Sequence, residues 1–265
     1  MKIALIITTY NWPGALELVL ESVKAQTILP DEVIIADDGS NEDTRLLIQK
    51  YQKEFPTKLK HIWQEDRGFR AAMIRNRAIA NSESDYIIGI DGDIILHPKF
   101  VEDHKKNAKK NRYIQGKRVL LTKEKSKEAL ELKKIKFSFF ENGLKNRKNA
   151  LHSNFLKKIF SKTNNSLKGV KSCNFSLFKE DLLKINGFDN SFIGWGREDS
   201  EMVARFLNND GERFDLMFNA IGYHLYHKEN KREFLEENEL KLKETIKNKK
   251  TWCENGIESF LKSSL

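Results

Sequence analysis

The sequence predicts an α/β fold in which helices flank a mostly parallel central sheet. Short β-branched apolar runs alternate with amphipathic stretches along residues 1–102, and three of those runs end in acidic or hydroxyl side chains. The chain has 265 residues, which is enough for one large α/β domain. Strands that alternate with helices in this way form parallel sheets with right-handed crossovers.

Four strands and three helices are predicted in the first 102 residues. The first helix carries apolar residues at helical spacing, and the second opens with residues that favour a helix N-terminus. The predicted strands are "IALIITT", "DEVIIADDGS", "KLKHIWQED" and "DYIIGIDGD". The predicted helices are "NWPGALELVLESVKAQT", "NEDTRLLIQKYQKEF" and "GFRAAMIRNRAIANS".

The pattern changes after Pro98. Residues 103–168 are Lys-rich with scattered aromatics, and we interpret them as a basic insertion of helices and loops within one domain. The alternation returns in "KSCNFSLFKEDLLKINGFD", with a turn at Asn186-Gly187, and the tail "NKREFLEENELKLKETIKNKKTW" is typical of a charged surface helix. These boundaries give a first half at 1–102, the insertion at 103–168, a second half at 169–232 and a helical tail at 233–265.

The charge distribution argues against a uniformly basic nucleic-acid binder. Net charge is +9, yet residues 103–171 hold 21 Lys and Arg against 5 Asp and Glu, so the rest of the chain is net acidic. Cys173 and Cys253 form neither a disulfide framework nor a metal-type spacing. The N-terminus has the pattern of a buried strand rather than a signal peptide, and no apolar run approaches the ~20 residues of a membrane helix. We therefore expect a cytoplasmic protein that is either soluble or peripheral at the inner face of the cytoplasmic membrane.

The polar ends of the predicted strands indicate a site at one edge of the sheet. Thr8-Thr9-Tyr10, Asp37-Asp38 and Asp91-Gly92-Asp93 follow the first, second and fourth strands, and ligands of such sheets bind beyond the carboxyl ends of the strands. Asp91 and Asp93 would share one side of an extended backbone, where Mg²⁺ or Mn²⁺ would relieve their repulsion. An ordinary Asp-Gly turn is the alternative.

Two further motifs add candidate ligands and acids. His224 and His227 in "GYHLYHKEN" could face one cation from a helical turn but not from a strand, and either could instead be an ordinary polar histidine. In "GWGREDSE", Glu198 and Asp199 could simply begin a helix. The glycines would let the backbone approach a ligand, Trp195 could stack on a sugar ring, and a carboxylate beside it could accept a hydroxyl proton.

With these residues in view, the chain resembles the bacterial family 2 glycosyltransferases, inverting enzymes with the Rossmann-like GT-A fold. The first half carries "IITTYN", "VIIADDGSNEDT", "QEDRGFRAAMIRNRAI" and "YIIGIDGDIILHPKF". Residues 168–232 resemble chondroitin-polymerase-type enzymes and the C-terminal region of β-1,4-galactosyltransferases. The usual motif there is Gly-Trp-Gly-Gly-Glu-Asp, and Arg197 replaces its third Gly.

The resemblance implies a role for each candidate residue. Asp199 would be the catalytic base, with Glu198 holding a donor-sugar hydroxyl. Asp93 would ligate Mn²⁺ or Mg²⁺ together with His227, and His224 occupies the position where the animal enzymes have Met. Trp195 would pack on the donor and acceptor sugars. The residues that would contact the nucleotide-sugar are Thr8, Tyr10, Asp37, Asp38, Arg67, Arg75 and Asp91.

The implied reaction moves a hexose or N-acetylhexosamine from a UDP-sugar to a hydroxyl of a glycan acceptor, as in lipopolysaccharide or capsule synthesis. A nucleotidyltransferase that makes nucleotide-sugars is an alternative, although the chain lacks a Gly-rich triphosphate loop after the first strand. A glycosidase would need no nucleotide pocket. A non-enzymatic binder built on the basic segment is a further alternative. Lys interspersed with Phe and Leu suits an anionic membrane surface, which is also compatible with a transferase whose glycan acceptor is lipid-linked. A solvated surface explains the segment equally well.

Overall fold

The structure is a computed structural model that describes residues 1–228 and 232–261. Residues 229–231 and 262–265, which belong to the expected second half and tail, lie outside the described residues. The first half has the predicted order of four strands and three helices: β1 (Ile3–Thr9), α1 (Pro13–Lys24), β2 (Glu32–Asp37), α2 (Glu42–Gln52), β3 (Lys58–Trp63), α3 (Ala71–Ala80) and β4 (Tyr86–Asp91). A short strand that was not predicted, β5 (Ile94–Leu96), follows β4.

The remaining elements follow in chain order, with a 3-10 helix at Arg147–Ala150. They are α4 (Phe100–Asn107), β6 (Arg112–Gln115), β7 (Arg118–Leu121), α5 (Lys123–Glu131), β8 (Leu144–Lys145), α6 (Asn154–Phe160), β9 (Lys162–Thr163), β10 (Asn174–Phe178), α7 (Lys179–Lys184), α8 (Glu198–Asn208), β11 (Glu212–Asp215), β12 (Gly222–His224), α9 (Leu235–Lys247) and α10 (Glu258–Leu261).

Two sheets organise the described residues. The larger has the strand order β3-β2-β1-β4-β10-β6-β11-β9, and its first four strands are parallel as predicted. Strand β10 then runs antiparallel to both β4 and β6. The smaller sheet has the order β5-β12-β7-β8. The prediction of a mostly parallel sheet with flanking helices is confirmed.

Hydrophobic side chains pack on both faces of the larger sheet. Along β1, Leu5 and Ile7 join the cluster under α1 and α2, whereas Ala4 and Ile6 join the cluster under α3 and α8. This alternation follows from the two-residue period of a strand, and strands buried on both faces are continuous apolar runs. A third cluster lies against the smaller sheet and includes Val119 and Tyr223.

The basic segment is more than the helical insertion that its composition suggested. Residues 103–168 contribute α5 and α6, but also β6, which pairs with β10 and β11 inside the larger sheet. Strand β7 from the same segment pairs with β12. The Lys-rich composition hid these short strands, because Tyr113, Ile114 and Val119 supply the buried side chains while Lys110 and Lys123 nearby remain exposed.

The tail helix α9 begins at Leu235 and ends at Lys247, so it is shorter than the stretch that suggested it. None of the helices within the described ranges has the length and apolar composition needed to cross a membrane.

Candidate active site

The carboxyl ends of β1, β2 and β4 meet at one edge of the larger sheet, as predicted. Thr9 lies opposite Asp37 in the pairing of β1 with β2, and Thr8 lies opposite Asp91 in the pairing with β4. Parallel neighbours bring these residues together at the edge where open α/β sheets bind ligands.

Arg75 connects this edge with the second half of the chain. From α3, its Nε donates to Oγ1 of Thr8 at 3.2 Å and its Nη2 donates to Asp91 Oδ1 at 3.1 Å. Its Nη1 donates to Glu198 Oε1 at 3.2 Å. The guanidinium is buried, so it is held in place by two carboxylates and one hydroxyl. We call Arg75, Asp91 and Glu198 the arginine cluster.

Glu198 and Asp199 begin α8, where the helix dipole favours acidic side chains. Glu198 is buried, and its Oε2 has no hydrogen-bond partner among the described residues. Burial raises the pKa of Glu198 to about 7, with the neighbouring Asp199 adding to the shift. Asp199 is half-buried, its Oδ1 accepts from the Ser200 amide at 2.6 Å, and burial raises its pKa as well. Two acids with perturbed pKa values at a sheet edge are typical of a catalytic site.

Asp93, His224 and His227 form a second group, which we call the histidine cluster. Nε2 of His224 and Nε2 of His227 lie 3.6 Å and 3.4 Å from Oδ2 of Asp93. One potential ligand atom from each residue lies within 4.8 Å of the others. Asp93 Oδ1 is buried and finds no hydrogen-bond partner in the ranges that the structure covers. The arrangement offers one carboxylate and two imidazoles to a divalent cation.

The local backbone corrects two expectations about this cluster. Strand β4 ends at Asp91 and the chain turns at Gly92–Asp93, so the two aspartates do not share one side of a strand. Asp91 contacts Arg75, and Asp93 faces the histidines. The histidines meet Asp93 without a helical turn, because His224 ends β12 and His227 follows in the loop.

The charge states of His224 and Asp93 follow from their burial. Burial lowers the pKa of His224 to about 3, so its imidazole is neutral at pH 7 and free to ligate. Burial raises the pKa of Asp93 to about 8, with Asp91 adding to the shift and Arg118 opposing it. A buried carboxylate that faces the neutral imidazole of His224 lacks the cation that would stabilise its charge.

The structure separates the other expected nucleotide contacts into three groups. Tyr10 is half-exposed at the edge, and its hydroxyl donates to Asp66 Oδ2 at 2.8 Å. Asp37 is buried, and its Oδ2 lies 2.8 Å from Nε2 of His61. Asp38 accepts hydrogen bonds from the Gln64 side chain and from the Arg70 amide. Protein donors therefore already bind both aspartates. Arg67 lies apart on the exposed loop after β3 and pairs with Glu65.

The glycines around Trp195 allow a close approach between two parts of the chain. Gly194 and Gly196 have φ values of +73° and +108°, and a Cβ on either would meet Phe234 or Leu235 at 3.0 Å or less. They therefore let the loop approach the start of α9. Trp195 itself is 40% exposed. The guanidinium of Arg232 lies 5.4 Å from its ring centroid.

Arg197, the departure from the family motif, adopts a left-handed backbone conformation with φ of +77°. Glycine adopts that conformation without strain, which explains why Gly suits this position. The Arg197 side chain turns to α9, where Nε donates to Glu239 Oε2 at 2.6 Å. The positive charge of Arg197 is therefore paired with the carboxylate of Glu239.

The sequence analysis missed Arg118, the first residue of β7. Its Nη1 lies 3.5 Å from Cys173 Sγ, and its positive charge contributes to the pKa shifts of Asp93 and His224. The signal was the short apolar run "RVLL", which predicts a strand and hence a fixed position for the arginine that begins it.

Two sequence profiles match the chain. The profile of glycosyl transferase family 2 covers residues 4–184, and one described as the N-terminal domain of galactosyltransferase covers residues 156–228. The second match contains Glu198, Asp199 and both histidines of the histidine cluster.

Curated relatives include the hyaluronan synthase of Pasteurella multocida, 27% identical over 86% of this chain and 24% of that protein. The chondroitin synthase of Escherichia coli is 26% identical over 84% of this chain and 34% of its own length. The chain thus spans between a quarter and a third of these two relatives.

Solved structures share the fold. S. aureus TarS 1–349 superposes with a TM-score of 0.61 at 16% identity, covering 94% of this chain and 65% of that one. GalNAc-T7, solved with UDP, GalNAc and Mn²⁺, gives a TM-score of 0.62 at 14% identity, covering 86% and 44%. The predicted GT-A fold is confirmed. Because the family 2 profile spans more than half of its residues, this chain belongs to glycosyl transferase family 2.

Proposed function

We propose that the protein is an inverting, metal-dependent glycosyltransferase that moves a hexose or N-acetylhexosamine from a UDP-sugar to a hydroxyl of a glycan acceptor. The observation that carries the proposal is the pairing of two clusters at one sheet edge. The histidine cluster offers ligands for a cation. Two residues before Asp93, Asp91 pairs with Arg75, and Arg75 also pairs with Glu198 at the start of α8. The GalNAc-T7 structure with UDP and Mn²⁺ supports the choice of nucleotide and ion class.

The residues of the histidine cluster fit a divalent cation. Asp93 has a buried oxygen that lacks a partner among the described residues, and the neutral imidazole of His224 is a suitable ligand. Asp93, His224 and His227 would hold Mn²⁺ or Mg²⁺. When bound, such an ion neutralises charge on a departing diphosphate.

Asp199 is the proposed general base. It is half-buried, whereas Glu198 is buried and already paired with Arg75, so Asp199 is the acid that an acceptor can reach. It takes the proton of the acceptor hydroxyl as that oxygen bonds to the anomeric carbon from the face opposite the diphosphate. The bond to the diphosphate oxygen breaks in the same displacement, which inverts the anomeric configuration.

Glu198 and Trp195 position the sugars in this proposal. Glu198 Oε2, for which the described residues provide no donor, accepts a hydrogen bond from a donor-sugar hydroxyl. Arg75 fixes the orientation of that carboxylate. The half-exposed ring of Trp195 stacks on the apolar face of a sugar. Positioning of two substrates supplies a large share of the rate in such reactions.

On the donor side, Thr8, Tyr10 and Asp91 are the proposed contacts to the nucleotide-sugar. Asp37 and Asp38 act indirectly, because they fix the loop through Ser40, Gln64 and the Arg70 amide. The proposed acceptor is a growing cell-surface polysaccharide such as capsule or lipopolysaccharide, carried on a lipid. The names of the hyaluronan and chondroitin synthases support a polysaccharide.

Calorimetric titration of UDP, followed by turnover assays with a panel of UDP-sugars, tests the proposal. We expect UDP to bind with Mn²⁺ present and to lose affinity in EDTA or in Asp93→Ala. Asp199→Asn should lower turnover about 10²–10⁴-fold with UDP binding retained.

Asp210→Asn is the matched control, because Asp210 is exposed just beyond the other end of α8 and should be inert. Metal-independent UDP binding would overturn the metal assignment. Loss of UDP binding in Asp199→Asn would instead make Asp199 a structural residue.

A further inference from the structure

Helix α6, Asn154–Phe160, presents an apolar surface to solvent. Of its seven residues, which all lie in the described part of the chain, none is buried. Phe155 is 71% exposed, Ile159 58% and Phe160 53%. Phe155 and Ile159 share a face because they are four residues apart, and Phe160 extends that face around the helix. Large apolar side chains grouped in this way on a protein surface indicate a binding surface.

The body of the protein fixes this helix with its apolar side outward. Ser153 caps it by accepting from the Leu156 amide, and the Ser153 amide donates to Phe218 O at 3.0 Å. After the helix, the Ser161 hydroxyl accepts from the Met217 amide at 2.9 Å. The exposure of Phe155 and Ile159 is therefore a property of an anchored element.

Lysines surround the apolar face. Lys158 and Lys162 are exposed, and Lys157 donates to Asn107 at the end of α4. That contact places α6 beside the end of α4, where Lys105 is exposed and the exposed Lys106, Lys109 and Lys110 pair with Glu102, Glu212 and Glu180. Apolar side chains flanked by lysines complement an anionic lipid surface, where rings enter the headgroup boundary and ammonium groups meet lipid phosphates.

We propose that α6 is a membrane-contacting element that places the protein on anionic bilayers. Phe155, Ile159 and Phe160 enter the interface, and exposed lysines beside them, which are Lys105, Lys158 and Lys162, provide the attraction to negative lipids. One short helix gives weak, reversible binding, so the lysines are needed and added salt releases the protein. The inference is independent of the proposed reaction, because no residue of α6 belongs to either cluster of the site.

Sedimentation with vesicles tests this surface. The full chain is mixed with vesicles of phosphatidylcholine alone or with phosphatidylglycerol added, at low and high salt. We expect binding to the phosphatidylglycerol vesicles at low salt, release at high salt and little binding to phosphatidylcholine. Phe155→Ser combined with Ile159→Ser should weaken binding at least about tenfold, because it removes apolar area from the interface.

Leu240→Ser is the matched control, since Leu240 is 66% exposed on α9 and should not alter binding. Both variants change exposed side chains, and a thermal unfolding curve verifies that each folds. Absence of vesicle binding, or equal binding by the double variant, would overturn the proposal. Self-association that the double variant abolishes, without vesicle binding, would assign the surface to a second copy of the chain instead.

Discussion

The arginine cluster and the histidine cluster differ in whether a buried carboxylate has a positively charged partner within the chain. In the arginine cluster, Asp91 and Glu198 both contact the guanidinium of Arg75, which is fixed in its charged state. In the histidine cluster, Asp93 faces two imidazoles at 3.4 and 3.6 Å, and burial keeps the His224 imidazole neutral. The chain supplies the counter-charge in the first cluster and leaves it to a ligand in the second.

This difference shows which cluster is structural in the absence of ligands. A buried carboxylate paired with arginine stabilises the folded state only while both partners are present. A buried carboxylate without a cation costs stability until an ion binds, and that binding then stabilises the fold through linkage. Stability measurements with and without metal can therefore distinguish the clusters before any substrate is known.

The largest expected effect comes from removing Arg75. Arg75→Met leaves Asp91 and Glu198 without their buried cation, so we expect the free energy of unfolding to fall by about 3–5 kcal/mol. Urea unfolding measures it. Arg77→Met on the same helix is the control, because Arg77 lies only partly buried against the Phe260 ring, and it should cost less than about 1 kcal/mol. Equal losses in both variants would contradict the structural role of the arginine cluster.

The second effect is a change in the free energy of unfolding that has opposite signs when Asp93 and Asp91 are replaced. Without metal at pH 8, Asp93→Asn should stabilise the protein by about 1–3 kcal/mol, because it removes a buried charge that lacks a cation. Asp91→Asn should destabilise it by about 1 kcal/mol through the loss of its pair with Arg75.

Thermal unfolding with Mn²⁺ completes this test. The wild-type protein should gain melting temperature on adding Mn²⁺, Asp91→Asn should gain similarly, and Asp93→Asn should not respond. The same sign for both variants without metal would show that the two clusters do not differ in the way described.

A smaller effect concerns the pH dependence of stability through Glu198. Its pKa is raised from 4.5 to about 7 by burial and by Asp199, so the folded state binds its proton more tightly than the unfolded state does. That contribution is fully present below pH 4.5 and is lost as pH rises through about 7. Between pH 5 and 8, the free energy of unfolding should therefore fall less in Glu198→Gln than in the wild type, by on the order of 1 kcal/mol. If the free energy of unfolding changes equally with pH in the two proteins, the raised pKa of Glu198 is contradicted.

Many strands and helices could be predicted from the sequence because they depend on local patterns of apolar and polar residues. The run Ile3–Thr9 is apolar on both faces, and the acids after β2 and β4 mark the edge where ligands bind. The candidate acids and metal ligands were identified by residue type and by resemblance. The structure brings Asp93, His224 and His227 together and joins Glu198 to the first half of the chain through Arg75.

What the sequence could not give depends on distant contacts. Glycines at 194 and 196 are explained by Phe234 and Leu235, some 40 residues later. The pairing of β6 with β10 and β11 is non-local, so composition could not show that the basic segment enters the larger sheet. Asp37 and Asp38 looked available for a nucleotide, yet His61 and Gln64 occupy them.

The smallest expected effect concerns Arg197, which departs from the family motif without entering either cluster. Arg197→Gly relieves a left-handed backbone but loses a half-exposed ion pair with Glu239 and adds freedom to the unfolded chain. These terms oppose one another, so the free energy of unfolding should change by less than about 1 kcal/mol. UDP affinity with Mn²⁺ and turnover should stay within about twofold, because the guanidinium lies on α9. Glu239→Gln, which removes only the ion pair, separates the backbone contribution. A large loss of UDP affinity in Arg197→Gly alone would place Arg197 in the donor site and extend the positive charge of the arginine cluster to a second residue.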